Sequence, residues 1–136
     1  EAAHWMAVLG MDQYAHLLAD HVPGARLVDT LDALRATVTG PVTIFAPYRW
    51  MRASDPLPHT WDVTSDSVAA VVAGALGARE LLLVKVVSGT PETLADPFLP
   101  VARPAGLAVR CLTTKALRAL AGLAPPPGEA PARAAG

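Results

Sequence analysis

Residues 64–85, TSDSVAAVVAGALGARELLLVK, decide the fold class of this chain. After the polar start, small and apolar residues follow a helical pattern, and Gly77 stands where a left-handed cap ends a helix. The next run is short, apolar and rich in Leu and Val, which is typical of a strand buried on both faces. We therefore predict a helix over residues 65–76 and a central strand over residues 80–87.

Helices and strands also alternate on either side of this stretch. Residues 2–21 predict a long helix with a broad buried face, because apolar side chains recur there at spacings of three and four. These side chains are Trp5, Met6, Leu9, Tyr14, Leu17 and Leu18. The other predicted elements are a strand over 26–28, a helix over 31–38 capped by Asp29 or Thr30, a buried strand over 42–46, a functional loop over 47–63, a loop from Ser88, a strand over 107–112 and a helix from Thr113 or Thr114 to about Leu123.

The alternation of strands and helices, without an internal repeat, predicts an α/β fold with a mainly parallel sheet covered on both faces by helices. We expect one domain over residues 1–124. Residues 125–136 consist largely of Ala, Pro and Gly, and they predict a disordered tail.

Composition narrows the class of protein. The chain has 136 residues, is 52% hydrophobic and carries a net charge of -1, with its charges scattered. We therefore expect a compact domain whose partner is neither a nucleic acid nor a membrane. The single cysteine, Cys111, excludes an intramolecular disulfide, and the apolar runs are too short to span a bilayer. These features favour a cytoplasmic protein.

Three segments carry a family resemblance. They are AHWMAVLGMDQY at residues 3–14, DPLPHTWDVTSDSVAA at residues 55–70 and LLVKVVSG at residues 82–89. Together they resemble aspartate/glutamate/uridylate kinase-like members of the amino acid kinase superfamily, and within it the (5-(aminomethyl)furan-3-yl)methyl phosphate kinases of methanofuran-type cofactor synthesis. The resemblance implies a three-layer α/β/α sandwich that binds ATP with Mg²⁺ and phosphorylates a small phosphate- or carboxylate-bearing acceptor.

The start of the helix at residue 65 is the first candidate site. A helix N-terminus offers free N–H groups and the positive end of a dipole, which suit a phosphate, and the resemblance implies that Thr64 and Ser65 bind one. Simple capping of the helix explains the same residues. The resemblance implies that Asp66 is catalytic, because it orients the lysines that neutralise the transferring phosphoryl group.

The third segment supplies the other nucleotide-side candidates. Lys85 interrupts an apolar strand, and the resemblance places it, with Ser88 and Gly89, beside the nucleotide. Alternatively, Lys85 extends its side chain along the surface to water and binds no nucleotide. Gly89 has the alternative role of an ordinary turn residue.

The predicted loop supplies the acceptor side. The resemblance places His59, Trp61 and Asp62 near the small-molecule acceptor, with Trp50, Arg49 and Arg52 as further candidates for stacking or anion contacts. Packing of large side chains that fix the loop is the alternative. The histidines show no metal-ligand spacing, so metal is expected only as Mg²⁺ held with ATP.

The sequence departs from the family in one respect. Kinases of the superfamily begin with a lysine-bearing strand and glycine-rich phosphate loops, whereas the only lysines here are Lys85 and Lys115. We therefore expect a fold truncated at its N-terminus and poor catalysis by this chain alone. We expect either a fragment of a longer kinase or a chain that pairs with a partner supplying the missing half. A homo-oligomer is the other expected assembly. The alternative is a non-catalytic subunit with the kinase fold that binds nucleotide or anions or serves assembly.

Overall fold

The computed structural model describes residues 1–37, 40, 42–120 and 122, and it divides the chain into two compact units. The first unit comprises Glu1–Leu81 and Asp96–Ala108, and the second comprises Leu82–Ala95 and Val109–Gly136. The predicted disordered tail at residues 125–136 and the predicted helix end at Leu123 lie outside the described residues.

The chain is a mixed α/β protein, as predicted. In chain order its elements are α1 (Ala2–His21), β1 (Arg26–Val28), α2 (Leu31–Ala36), β2 (Thr43–Phe45), α3 (Tyr48–Ser54), α4 (Ser65–Leu76), β3 (Glu80–Lys85), α5 (Pro91–Leu94), α6 (Leu99–Ala102), β4 (Ala108–Thr113) and α7 (Thr114–Leu120).

The strands form two separate pairs. β1 and β2 are parallel, with Arg26 opposite Thr43 and Val28 opposite Phe45, and β3 pairs with β4. We predicted a single mainly parallel sheet; within the described residues there are two sheets of two strands each. The parallel pairing is confirmed for β1 and β2.

Helix α1 has the predicted bounds, but its predicted buried face is largely wrong. It packs against β1, β2 and α3 on one side only, and the residues that it buries are Trp5, Val8 and Ala15. The other large apolar side chains of the prediction are exposed, namely Met6, Leu9, Tyr14, Leu17 and Leu18. Among the described residues, the structure contains no helix with both the length and the apolar character that a membrane crossing needs.

Helix α3 occupies part of the segment predicted as a loop, so that prediction is wrong for its first half. The Asp12 carboxylate of α1 accepts a hydrogen bond from the Tyr48 amide at 2.9 Å, and Met51 is fully buried. Burial raises the pKa of Asp12. The helix ends at Asp55, whose backbone is left-handed with φ 42°. A distant carboxylate and one buried side chain therefore stabilise a helix that its own sequence does not signal.

The decisive stretch forms α4 and β3. α4 has the predicted bounds, and Gly77 ends it with φ 66°, although the residue at the N-cap is Thr64. β3 stops at Lys85, two residues before the predicted end. It buries only Leu83 and exposes Leu82 and Val84, so burial on both faces is wrong. The residues that alternate with Leu83 form one exposed face of the strand, while the face that carries Leu83 is covered.

In the C-terminal half, the structure differs from the prediction in the segment after Ser88 and in the start of the last strand. The segment after Ser88, predicted as a loop, contains the short helices α5 and α6. β4 begins one residue later than predicted, directly after the buried Leu107. The Thr113 hydroxyl accepts a hydrogen bond from the Ala116 amide at 3.1 Å, which confirms Thr113 as the capping residue of α7. Cys111 lies half-buried on β4.

Candidate functional site

A cavity of about 650 Å³ lies in the first unit, between α1, the segment that follows α3 and the first turn of α4. Four predicted site residues line it: His59 and Trp61 from the acceptor set, and Thr64 and Ser65 from the nucleotide set. Its remaining lining includes His4, Thr60 and apolar or small residues of α1. The structure therefore brings two of the three acceptor-side residues and two of the five nucleotide-side residues to one place.

A cluster of rings forms part of the cavity wall, and we call it the histidine stack: His4, Trp5 and His59. The two imidazoles are stacked, with centroids 4.1 Å apart and an interplanar angle of 16°. The Trp5 ring meets both of them edge-on, with centroids 4.8 Å from His4 and 4.9 Å from His59. The His59 ring is thus held on two sides.

Asp55 fixes the orientation of this ring further. Its Oδ1 lies 2.8 Å from Nε2 of His59. Asp55 is also the only non-glycine residue with positive φ in the described chain. A left-handed backbone costs more than a regular one for most residues, although Asp tolerates it better than most.

The histidine stack contains polar atoms without partners. Nε2 of His4 and Nε1 of Trp5 are buried, and the structure gives them no hydrogen-bond partner. Burial and the neighbouring His59 lower the pKa of His4. The Arg52 guanidinium carbon lies 4.6 Å from the Trp5 ring centroid, which places a cation over the stack.

A second cluster closes the start of α4, and we call it the Asp96 clasp: Thr64, Asp66, Ser67 and Asp96. The Asp96 Oδ2 atom accepts hydrogen bonds from the Thr64 amide at 2.9 Å, the Thr64 hydroxyl at 2.8 Å and the Ser67 amide at 2.9 Å. Its Oδ1 atom accepts from the Ser67 hydroxyl at 2.5 Å. Burial alone would raise the pKa of Asp96, but the hydrogen bonds from Ser67 and Thr64 outweigh it and lower the pKa.

Asp66 takes part in this clasp. It is buried, and its Oδ2 accepts a hydrogen bond from the Asp96 amide at 3.2 Å. It is not one of the residues that line the cavity. Its catalytic role stays a prediction, while its structural role is to join the start of α4 to the segment before α6.

The other predicted residues lie elsewhere. Asp62 is exposed, and its backbone carbonyl accepts from the Phe98 amide at 3.3 Å. Lys85, half-buried at the end of β3, belongs to the second unit with the exposed Ser88 and Gly89. A Cβ atom on Gly89 would lie 2.7 Å from Cδ1 of Leu94. Local packing therefore accounts for this glycine without a ligand.

Of the further acceptor-side candidates, Arg52 lies over Trp5 as described, and Arg49 forms a 3.2 Å ion pair with Asp29. Trp50 is half-buried, and its ring centroid lies 6.4 Å from that of Phe45. For Trp50 the structure shows packing within the first unit, which is the alternative given for these loop residues.

The sequence reasoning missed Asp96, His4 and Asp55 as site residues. A signal for Asp96 existed: it is the one acid in the otherwise apolar run of residues 94–99. The spacing of four between Asp55 and His59 was also visible, but no pattern in the sequence pointed to the contact of His59 with His4 and Trp5 of α1.

No family model matches the chain, and a search of curated proteins also finds no match. Among the described residues, no group of three or more His, Cys, Asp or Glu side chains is arranged to hold a metal ion. The geometry of the cavity, the histidine stack and the Asp96 clasp is therefore the structural basis for a functional assignment.

Proposed function

We propose that the chain is part of an ATP-dependent small-molecule phosphotransferase of the amino acid kinase superfamily, with a three-layer α/β/α architecture, acting in the cytoplasm. One observation carries the proposal: residues predicted for the acceptor and residues predicted for the nucleotide line the same cavity. In this proposal the cavity holds the acceptor, with His59 and Trp61 in contact with it.

The size and chemistry of the cavity support a small-molecule ligand. Its volume of about 650 Å³ lies within the range of about 300 to 1,000 Å³ that is typical of ligand sites. Apolar and aromatic side chains dominate such sites, and a few polar groups set the orientation of the ligand. Here His59, Thr60 and Ser65 are the polar groups on one side of the cavity.

The start of α4 fits an anionic phosphate only in part. The Asp96 carboxylate already accepts hydrogen bonds from the amides of Thr64 and Ser67 and from the Thr64 hydroxyl. Ser65 is exposed in the same turn and lines the cavity, so its hydroxyl is the group we assign to a phosphate oxygen. ATP would supply the γ-phosphoryl group and bring Mg²⁺ with it. The roles of Lys85, Ser88 and Gly89 rest on the resemblance alone.

The Asp96 clasp favours a second candidate function. Because a protein carboxylate satisfies donors that a phosphate would otherwise use, the chain also fits a non-catalytic subunit that binds small molecules through the cavity. Such a subunit would assemble as a homo-oligomer or with a partner that supplies the catalytic lysine and glycine-rich loops.

Thermal unfolding with and without MgATP tests the first candidate. Saturation to about 100 times Kd should stabilise the chain by about 2.7 kcal/mol. We expect Ser65→Ala and Lys85→Ala to reduce the shift, while Lys115→Ala, at the other lysine, should leave it unchanged. An unchanged melting temperature in MgATP would contradict nucleotide binding and favour the non-catalytic subunit.

A further inference from the structure

We propose that the acceptor bound in this cavity is a small alcohol, and that His59, held by Asp55, accepts its hydroxyl proton. This inference rests on the assignment of the cavity to the acceptor made above, but it does not depend on how the nucleotide binds. It replaces the phosphate- or carboxylate-bearing acceptor that the family resemblance implies.

The contact between Asp55 and His59 sets the direction of proton transfer. A carboxylate 2.8 Å from Nε2 makes that nitrogen the donor. In a neutral imidazole the other nitrogen, Nδ1, is then the acceptor. A base oriented by a carboxylate is the arrangement by which proteins take a proton from a hydroxyl group.

The surroundings of His59 hold this ring in place. His4 covers one face at 4.1 Å, and the Trp5 ring meets it edge-on. Since burial and the neighbouring His59 lower the pKa of His4, this stacked partner stays uncharged at neutral pH. Asp55 lies beside His59, where its carboxylate is the counter-charge for a proton on that imidazole.

The charges near the cavity favour a neutral ligand. Near the histidine stack the charges of both signs balance: the acids are Asp55 and Glu1, and the cations are the N-terminal amine and Arg52, which lies over Trp5. A carboxylate or phosphate acceptor is already ionised at neutral pH and needs no proton acceptor, and it would be repelled by the Asp55 carboxylate. An alcohol is a poor nucleophile until its proton is removed.

The proposed step is balanced in atoms and electrons. The alcohol oxygen bonds to the γ-phosphorus, the bond from that phosphorus to its bridging oxygen breaks, and the nucleoside diphosphate leaves with the electron pair. His59 accepts the alcohol proton on Nδ1 and later releases it to water. Asp55 is a positioning residue, because its carboxylate contacts the imidazole and orients it.

Binding of two matched probes, benzyl alcohol and benzoate, tests the proposal without any nucleotide. Trp61 is 90% exposed at the cavity, so its fluorescence should report a bound ring. At pH 8 we expect the alcohol to bind about tenfold more tightly than benzoate, the equivalent of one hydrogen bond of ordinary strength.

Variants separate the positioning role from simple packing. His59→Phe keeps a stacked ring but removes Nδ1, and it should abolish the preference for the alcohol. Asp55→Asn should reduce the preference and shift the His59 proton from Nε2 towards Nδ1, which ¹⁵N NMR of the imidazole detects. His16→Ala, an exposed histidine of α1 outside the cavity lining, should change neither result.

Three outcomes would overturn the proposal: tighter binding of benzoate than of benzyl alcohol, a preference for the alcohol that survives His59→Phe, or no binding of either probe. Because MgATP is absent from this experiment, failure of nucleotide binding and failure of the alcohol assignment give different results.

Discussion

The Asp96 clasp and the histidine stack are both polar clusters of the first unit, and they differ in whether their buried polar atoms have hydrogen-bond partners. In the clasp, one buried carboxylate accepts four hydrogen bonds from Thr64 and Ser67. In the stack, Nε2 of His4 and Nε1 of Trp5 are buried without a partner. A satisfied network stabilises a fold, whereas unpaired buried groups cost free energy and are often retained where a ligand binds.

The largest expected effect comes from breaking the clasp. Asp96→Ala would leave the amides of Thr64 and Ser67 and two hydroxyl groups without their acceptor. Hydrogen bonds to a charged group contribute about 1.5 to 3 kcal/mol each and do not add fully, so we expect a loss of about 3 to 4 kcal/mol in the free energy of unfolding. Urea denaturation measures it. Asp20→Ala, an exposed acid of α1, is the matched control and should change stability by less than about 0.5 kcal/mol.

The Asp96 carboxylate should also affect how the free energy of unfolding depends on pH in the acidic range. The pKa of Asp96 is lowered from its usual value of 3.8, so the unfolded chain binds this proton first as the pH falls. The stabilisation is therefore complete well above pH 3.8 and is lost as the pH falls through the lower value of the folded chain. Asp96→Asn should flatten this part of the curve in urea titrations between pH 2 and 5. A curve as steep as that of the unmodified chain would contradict the assignment.

The contrast between the clusters also shows how far the sequence can be interpreted. Helix α4, its glycine cap at Gly77 and the Thr30 cap of α2 were predictable, because each depends on residues within one turn of each other. Helix α3 was not predictable, since a key hydrogen bond joins Tyr48 to Asp12, a carboxylate 36 residues earlier in the chain. Sequence signals within one turn therefore predict a helix and its caps. A helix that depends on a contact distant in the chain, such as α3, is not predictable in this way.

The same limit applies to the site. His59, Trp61, Thr64 and Ser65 lie within seven consecutive residues, and this short separation in the chain favours their common position in the cavity. Asp96 follows Ser67 by 29 residues, and its role depends on a fold that returns it to the start of α4. For β3, apolar composition suggested burial on both faces, but composition does not state what packs over each face of a strand.

A smaller effect should follow from titrating the histidine stack. The pKa of His4 is lowered from its usual value of 6.5, so the unfolded chain binds this proton first as the pH falls. The contribution of His4 to stability is fully present above pH 6.5 and is lost as the pH falls below that value. His4→Phe retains a ring that can stack but does not titrate, and it should reduce the loss of stability between pH 7.5 and 5.5. His16→Ala should leave that loss unchanged, and an equal effect of the two variants would contradict the role of the stack.

The smallest expected effect concerns the cation that covers the stack. Arg52 is exposed and lies over Trp5 at 4.6 Å from the ring centroid, and such contacts at exposed sites contribute about 0.5 to 1 kcal/mol. Arg52→Ala should lower the free energy of unfolding by about 0.5 kcal/mol, measured by urea denaturation, and Arg52→Lys should retain part of it. If Arg52→Ala destabilised the chain as much as Asp96→Ala does, the two clusters would contribute to stability alike. The histidine stack would then stabilise the fold as the Asp96 clasp does. Its unpaired polar atoms would no longer be an argument for a ligand site.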